Sequence, residues 1–342
     1  MRLGQRLAVT IRDIAEQAGV SLTTVGIALG RPGRISDATR EKVLALADEL
    51  GYRPNRLVHG IQTGRSMTVG FLARVDSPFN GQMFTGAHDV LADADYAPMV
   101  MSTTPKLNEL SRLHALIDRR VDGILIVPFF EAMWDEHLNE LISRDIPVVS
   151  LDVEVQGRAN NIDFVGTDDR GAGRAAAEHL LGLGHRSALL VTSGTPQQPP
   201  FLRCEGFEQA FAESGGVCQT ISVPWISSQE VCDRACGVLG QTERPTCVFL
   251  TTDLFADRVY EAASRLGLRV PDDLSVVGFS GHVVGGYLSP ALTSFRQDAF
   301  QIGRRGAELL VERMSGRVGD ERRREEFPAE LIERGSTGPA PA

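Results

Sequence analysis

The 342-residue chain has no hydrophobic stretch of membrane-spanning length. Its longest apolar run, Gly123 to Phe130, falls far short of the roughly 20 residues a helix needs to cross a bilayer, so no membrane partner is expected. The first ten residues include Arg2 and Arg6 with no apolar core behind them, and no secretory leader is visible. Cysteine is scarce and uneven: Cys204, Cys218, Cys232, Cys236 and Cys247 all fall in one part of the chain, and their number is odd. Cys232 and Cys236 stand one helical turn apart rather than in a Cys-x-x-Cys pair, and no histidine spacing completes a zinc set. Free thiols buried in a reducing cytoplasm are the expectation, with no metal and no cofactor. No nucleophile–base constellation is present, which argues against an enzyme. The tail carries no leucine heptad, so nothing points to a coiled-coil tetramer.

What is present is a polarised chain. Residues 1–65 hold ten Lys or Arg against six Asp or Glu, while the remainder holds 25 against 38. A basic head on an acidic body suits a module that touches phosphates, attached to a body that DNA repels.

The head, Val9 to Gln62, reads as three short helices, a Pro-led linker and a further amphipathic segment. Thr10 and Asp13 form a capping box, and Ile11, Ile14, Ala15 and Ala18 make one apolar face. Gly19 stops that helix. Ser21 caps a second helix, Leu22 to Leu29, with Val25, Ala28 and Leu29 inward. Ser36 caps a third, Asp37 to Leu50, with Val43, Leu44, Ala47 and Leu50 as its inner stripe. Two helices joined by a three-residue Gly turn make a helix-turn-helix, whose second helix enters the DNA major groove.

Four phrases in this stretch stand together: Val20-Ser21, Thr24-Val25, Ser36-Asp37-Ala38-Thr39-Arg40 and Gly51-Tyr52-Arg53-Pro54-Asn55. In that combination the stretch resembles the DNA-binding head of the lactose/galactose repressor (LacI/GalR) family. The resemblance implies DNA contacts from Ser21, Leu22, Thr23, Thr24, Gly26 and Ile27. It also implies a hinge helix, Asn55 to Gln62, folding on DNA, in which Asn55, Arg56, His59 and Ile61 face the duplex. Ile61 takes the place of the usual Leu wedge that opens a base step in the minor groove. Gly26 and Ile27 depart from the family's Ser then Arg. An Arg bidentate to guanine supplies about 1–3 kcal/mol of discrimination, which Ile27 cannot, although it can meet a thymine methyl. Arg31 or Arg34 is expected to take over phosphate contacts.

From Thr68 onward, apolar strands alternate with amphipathic helices in two successive series. This predicts an α/β body of two similar parallel-sheet lobes around a cleft, behind an all-α head. Segments near Gly157–Asn161 and Gly285–Thr293 are expected to cross between lobes, Glu326–Ile332 to form the last strand, and residues 337–342 to be disordered. The expected divisions are 8–54 for the head, 55–66 for hinge and linker, and 67–336 for the body. The body shares the family's phrases too: Arg120-Val121-Asp122-Gly123, Leu183-Gly184-His185-Arg186 and Gly267 through Phe279. The resemblance therefore implies an effector-binding and dimerisation core like periplasmic sugar-binding proteins. Asp152, Arg203, Trp225 and Asp253 match family positions around the ligand, and Pro78, Phe79 and Gln297 are pocket or hinge candidates. Carboxylates, a guanidinium and an indole suit a polyol. Asp253 has an equally good alternative as a helix N-cap. Ser280-Gly281 stands where the family has paired acids, and Thr252 where it has Asn, which shifts the expected effector toward a less hydroxylated or anionic metabolite.

Two look-alike motifs carry less. Gly171-Ala172-Gly173-Arg174-Ala175-Ala176 fits a dinucleotide fingerprint, but no acidic residue ends the next strand. Gly278-Phe279-Ser280-Gly281-His282 has His282 where a nucleophile elbow needs glycine. The reading is a cytoplasmic, homodimeric, ligand-responsive repressor of a pseudo-palindromic operator. A solute-binding protein without a role in transcription is the alternative.

Overall fold

The computed structural model describes residues 9–30, 33–52, 65–103, 109–128, 140–141, 143–155, 162–193, 198–224, 228–317, 319 and 321–341. The chain divides into two compact units between Met67 and Thr68.

The first unit holds α1 (Ile11–Ala18), α2 (Leu22–Ala28) and α3 (Asp37–Glu49). Each start is fixed by a side chain that satisfies groups the helix leaves open. Asp13 accepts the Thr10 backbone N–H at 2.8 Å and its hydroxyl at 2.9 Å. Ser21 Oγ accepts the Thr24 N–H at 3.0 Å, and Ser36 Oγ accepts that of Thr39 at 3.2 Å. Gly19 ends α1 at φ 71°, where a Cβ would be strained. Lys42 donates to the Ala18 carbonyl at 2.9 Å, capping α1 from α3. Ile14, Ala18, Val25, Ala28, Val43 and Ala47 form the core. The stripe on α3 differs from expectation at one position. Leu44 is exposed, and Leu46, three residues beyond Val43, packs inward instead.

In the second unit the strands are β1 (Thr68–Ala73), β2 (Ala97–Ser102), β3 (Gly123–Ile126), β4 (Val148–Leu151), β5 (Asp163–Thr167) and β6 (Ser187–Ser193). They continue as β7 (Val217–Val223), β8 (Cys247–Leu250), β9 (Ser275–Phe279), β10 (Thr293–Arg296), β11 (Arg324–Phe327) and β12 (Glu330–Ile332). The helices are α4 (Pro78–Asp93), α5 (Glu109–Asp118), α6 (Asp169–Gly182), α7 (Pro199–Glu213), α8 (Ser228–Leu239), α9 (Ala256–Arg265) and α10 (Ala299–Met314).

Two six-stranded sheets result. The first has the order β11-β5-β4-β3-β1-β2 and is parallel throughout. The second has the order β12-β10-β9-β8-β6-β7 and is parallel except for β12. Strands β3, β4, β5, β8 and β9 are buried along their whole length, as helices on both faces require. The edge strands β2 and β7 are the more exposed.

The chain passes between the sheets at 167–169, 296–299 and 327–330, not at the two expected segments. Residues 157–161 lie outside the described residues but join β4 to β5 within one sheet, and 285–293 joins β9 to β10 within the other. The expected last strand is likewise two strands in two sheets, parted at Pro328-Ala329, because proline has no N–H for a ladder.

The tail is a second correction. Residues 335–341 are laid onto the second sheet rather than disordered. His185 Nε2 meets the Gly338 carbonyl at 3.1 Å, Gly338 N–H donates to Ser275 Oγ at 3.0 Å, and Ala340 N–H donates to the Leu183 carbonyl at 2.8 Å. Ser336, fully buried, accepts from Thr293 N–H at 2.8 Å and donates to the Val276 carbonyl at 2.5 Å. Ser336→Ala leaves both buried groups without partners. It is expected to cost about 1–3 kcal/mol in a denaturant titration, whereas a loose tail would make it neutral.

Candidate effector cleft and DNA-facing helix

Parallel strands bring their carboxyl ends to one edge, and ligands of such sheets sit outside that edge. Here the two edges are tied to each other by side chains. Gln297, just past β10, donates from Nε2 to Thr167 Oγ1 at 2.8 Å and to Asp152 Oδ1 at 3.3 Å. Thr167 ends β5 and Asp152 follows β4, so these bonds run from the second sheet's carboxyl edge to the first's.

Asp152 is held at φ 61°, a left-handed conformation that Asp tolerates better than most residues. Its N–H is fixed to the Val165 carbonyl at 3.0 Å. Loss of water raises its pKa above the usual carboxylate value, and nearby Arg203 opposes that rise.

Arg203 is placed by backbone contact between α6 and α7. A Cβ on Gly173 would lie 1.9 Å from the Arg203 carbonyl, and one on Gly206 would lie 2.0 Å from that of Arg170. This close approach accounts for Gly173 of the look-alike fingerprint. The guanidinium donates from Nε to Asp169 Oδ1 at 2.8 Å and from Nη1 to the Thr251 carbonyl at 2.8 Å. It also lies 3.7 Å above the Phe279 ring. Both members of the pair are buried. Burial pushes the Asp169 carboxyl up to about 7 against the pull of Arg203.

Asp253 is bound differently. It accepts from Ser294 Oγ at 2.8 and 3.0 Å and from His282 N–H at 2.7 Å, pinning the turn after β9. Burial raises its pKa to about 6. The cap of the short turn 253–255 is Thr252, so the N-cap alternative for Asp253 falls. Ser280 sits in that pinned turn at φ 115°, its N–H on the Phe295 carbonyl at 2.8 Å. Pro78 and Phe79 open α4, exposed and half-buried respectively, at the carboxyl edge of the first sheet. Trp225 lies outside the described residues.

The cleft thus brings together Asp152, Arg203 and Gln297 of the expected set, and adds Asp169, Thr167, Thr251 and Phe279. Asp169 could have been suspected from the buried-arginine rule, since a buried guanidinium needs an anion. The cleft holds no His, Cys or carboxylate grouping arranged to hold a metal ion, among the described residues.

In the head, Ser21, Leu22 and Thr23 are exposed at the start of α2, and Thr24 is half-buried with its hydroxyl 2.9 Å from Ser21 Oγ. Gly26 is buried, which corrects its place among the DNA-facing residues, because the phase that turns Val25 inward carries it along. Ile27 is half-buried against Gly33, whose Cβ, were there one, would lie 2.5 Å from Ile27 Cδ1. Arg34 is exposed. Arg31, Asn55, Arg56, His59 and Ile61 lie outside the described residues.

Comparison with known proteins agrees with both parts. Residues 10–55 match the lacI family of bacterial regulatory proteins, and residues 177–337 match the periplasmic binding protein-like domain. The chain is 30% identical over 336 residues to the HTH-type transcriptional repressor PurR of Photobacterium profundum, covering 96% of this chain and 98% of that one. Its fold is similar to the Lac repressor dimer bound to operator and an anti-inducer, with a TM-score of 0.79 and 24% identity. That match covers 97% of this chain and 100% of the other. It is also similar to a LacI family regulator from Enterococcus faecium with bound ribose (TM-score 0.69, 27% identity, covering 80% and 99%).

Proposed function

Because the chain belongs to the LacI family of bacterial regulatory proteins, we propose that it is a cytoplasmic repressor whose grip on a pseudo-palindromic operator is set by a small molecule in the inter-sheet cleft. It is a ligand-responsive DNA-binding regulator and not an enzyme. The observation that carries the reading is the capped helix α2, which presents Ser21, Leu22 and Thr23 outward on a rigid three-helix core. Two copies would place two such helices on symmetric half-sites. The division of labour is a head over 8–54, a hinge and linker over 55–66 and a ligand-binding, dimerising body from Thr68 onward that takes in the packed tail.

The cleft supports control for a physical reason. Gln297 spans the two carboxyl edges, and a ligand binding there with different affinity for open and closed arrangements shifts their populations. The same coupling free energy then appears in DNA affinity. No helix among the described residues is long and apolar enough to cross a membrane.

The test is a fluorescence-anisotropy titration with operator selected from random DNA. Thr23→Ala is expected to weaken specific binding about tenfold or more, since a good base contact is worth about 1–3 kcal/mol and counts in each half-site. Binding to unrelated duplex should be unchanged. Equal losses on both DNAs would remove Thr23 from base readout, and no sequence preference in the unmodified protein would sink the reading.

A further inference from the structure

We propose that the cleft selects a hydroxylated ligand carrying a protonated amine, whose ammonium group sits on the carboxylate of Asp152. This rests on the ligand-responsive reading above and specifies the ligand of that site.

The argument begins with where the positive charge goes. Arg203 is spent on the protein itself: Asp169 neutralises it, Thr251 takes a second bond, and Phe279 covers one face. A phosphate or carboxylate ligand would bring a further negative charge to the one guanidinium that Asp152 and Asp169 already share. The other guanidiniums near the carboxyl edges are engaged as well. Arg74 is held by Asp76 through two bonds of 3.0 and 2.8 Å, and Arg170 meets Glu205 at 2.6 Å. Arg296 meets Glu330 at 2.6 Å. Among the described residues, none of these cations is left for an anion.

Negative charge, by contrast, is in surplus. Asp152 and Asp169 share the single guanidinium of Arg203, and Glu326 adds to the negative field at Asp169. Asp152 is the less satisfied of the two. Among the described residues its carboxylate has one hydrogen bond, at 3.3 Å, from an amide nitrogen that gives its shorter bond to Thr167. The left-handed backbone at Asp152 costs free energy and keeps this under-bonded group at the edge. Asp253 is no competitor, since Ser294 and His282 already occupy it.

A second observation calls for hydroxyls. Ser193 ends β6 at the same edge, fully buried, and its Oγ has no partner among the described residues. Thr103, directly after β2 on the facing edge, is also buried, and among the described residues its Oγ1 has no partner. Buried hydroxyls left open are rare and mark places where a partner is missing. A polyhydroxylated ligand can supply partners that exchange donor and acceptor roles with them.

Two measurements test the proposal, and neither uses DNA. The first compares ligand-free protein with Asp152→Asn, which tolerates the same left-handed backbone. If Asp152 bears an uncompensated charge, the variant melts about 2 °C or more higher at pH 8, and the gain shrinks as pH falls, because the raised folded pKa lets the acid take up its proton in the folded chain before it does in the unfolded one. The titratable groups acting on it, Arg203 and Asp169, are common to both proteins. The second is a thermal-shift and calorimetric series at pH 8 with glucose, glucosamine and glucose 6-phosphate, and with galactose, galactosamine and galactose 6-phosphate. The amino sugar of a set should bind at least tenfold more tightly than its neutral and phosphorylated counterparts, and Asp152→Asn should erase that preference. Tighter binding of the phosphorylated or neutral member, or a preference that survives Asp152→Asn, overturns the proposal. If no member binds, the ligand-free comparison decides: an unchanged or lower melting temperature at pH 8 overturns it. A protein that passes these tests but fails to bind operator would instead strike the regulator reading.

Discussion

Arg203→Met is expected to lower the melting temperature by about 10 °C at pH 8. Breaking a buried pair from one side costs about 3–5 kcal/mol, because the remaining charge has neither water nor partner. Here the remaining group is Asp169, buried at the first turn of α6, and the Thr251 carbonyl loses its guanidinium donor as well. The loss should depend on pH in a defined direction. The folded pKa of Asp169 is about 7, above its unfolded value, so the group's contribution to stability is full below about 4 and is lost as pH rises through about 7. Removing Arg203 removes the main influence that lowers that pKa, so the loss continues to higher pH in the variant. The difference between the two proteins should therefore be larger at pH 8 than at pH 6. Asp169→Asn in the Arg203→Met background should recover most of it. Thermal melts of the unmodified protein, Arg203→Met, Asp169→Asn and the double variant at the two pH values check this, and an additive, pH-independent pattern would show that packing on Phe279 rather than charge is what Arg203 supplies.

That pair also marks the boundary of what could be read without coordinates. Arg203 was identifiable from its motif, but its partner depends on which helices touch, and the contact is made by Gly173 and Gly206 through their backbones. Nothing in the local pattern at Asp169 distinguishes it from a first-turn acid on any helix. Features governed by nearest neighbours were legible: the capping residues Thr10, Ser21 and Ser36, the stop at Gly19, and the wholly apolar strands such as β8 and β9. The phase of a short helix was less so. Leu44 was expected on the inner stripe that Leu46 completes, and Gly26 was expected outward although it is buried beside Val25, because several apolar or small residues follow one another there. Links of a few residues between sheets carry no compositional signature, so the crossings at 167–169, 296–299 and 327–330 had to come from strand order. The tail misled for a related reason. Its Gly, Pro and Ala content resembles disorder, while its order depends on distant partners, His185, Ser275 and Thr293, that bind its few polar groups. The charge balance of the cleft changed most. Ser280 in place of an acid suggested room for an anion, but Arg203 is already matched by Asp169, and Asp152 remains.

Ile27→Arg is the corresponding experiment for the head, and its effect on operator choice is expected to be the largest of any single substitution there. The position follows the outward residues Leu22 to Thr24 by one turn on α2 and stands where the family commonly carries arginine. Ile27 makes a modest internal contact, its side chain lying over Gly33. An arginine stem can keep that apolar contact while its guanidinium continues beyond it. A guanidinium reaching the major groove pairs bidentately with guanine, worth about 1–3 kcal/mol of discrimination. In a homodimer the substitution acts in both half-sites. The preference for guanine at one symmetric pair of positions should therefore rise by about 2–6 kcal/mol, thirtyfold or more. Selection from a random DNA library with each protein reads this directly. The unmodified chain should return a half-site tolerant of thymine at that position, where Ile27 can contact only a methyl group, and the variant should return guanine. If both proteins select the same sequence, residue 27 does not face the bases, and its contact with Gly33 is its whole role.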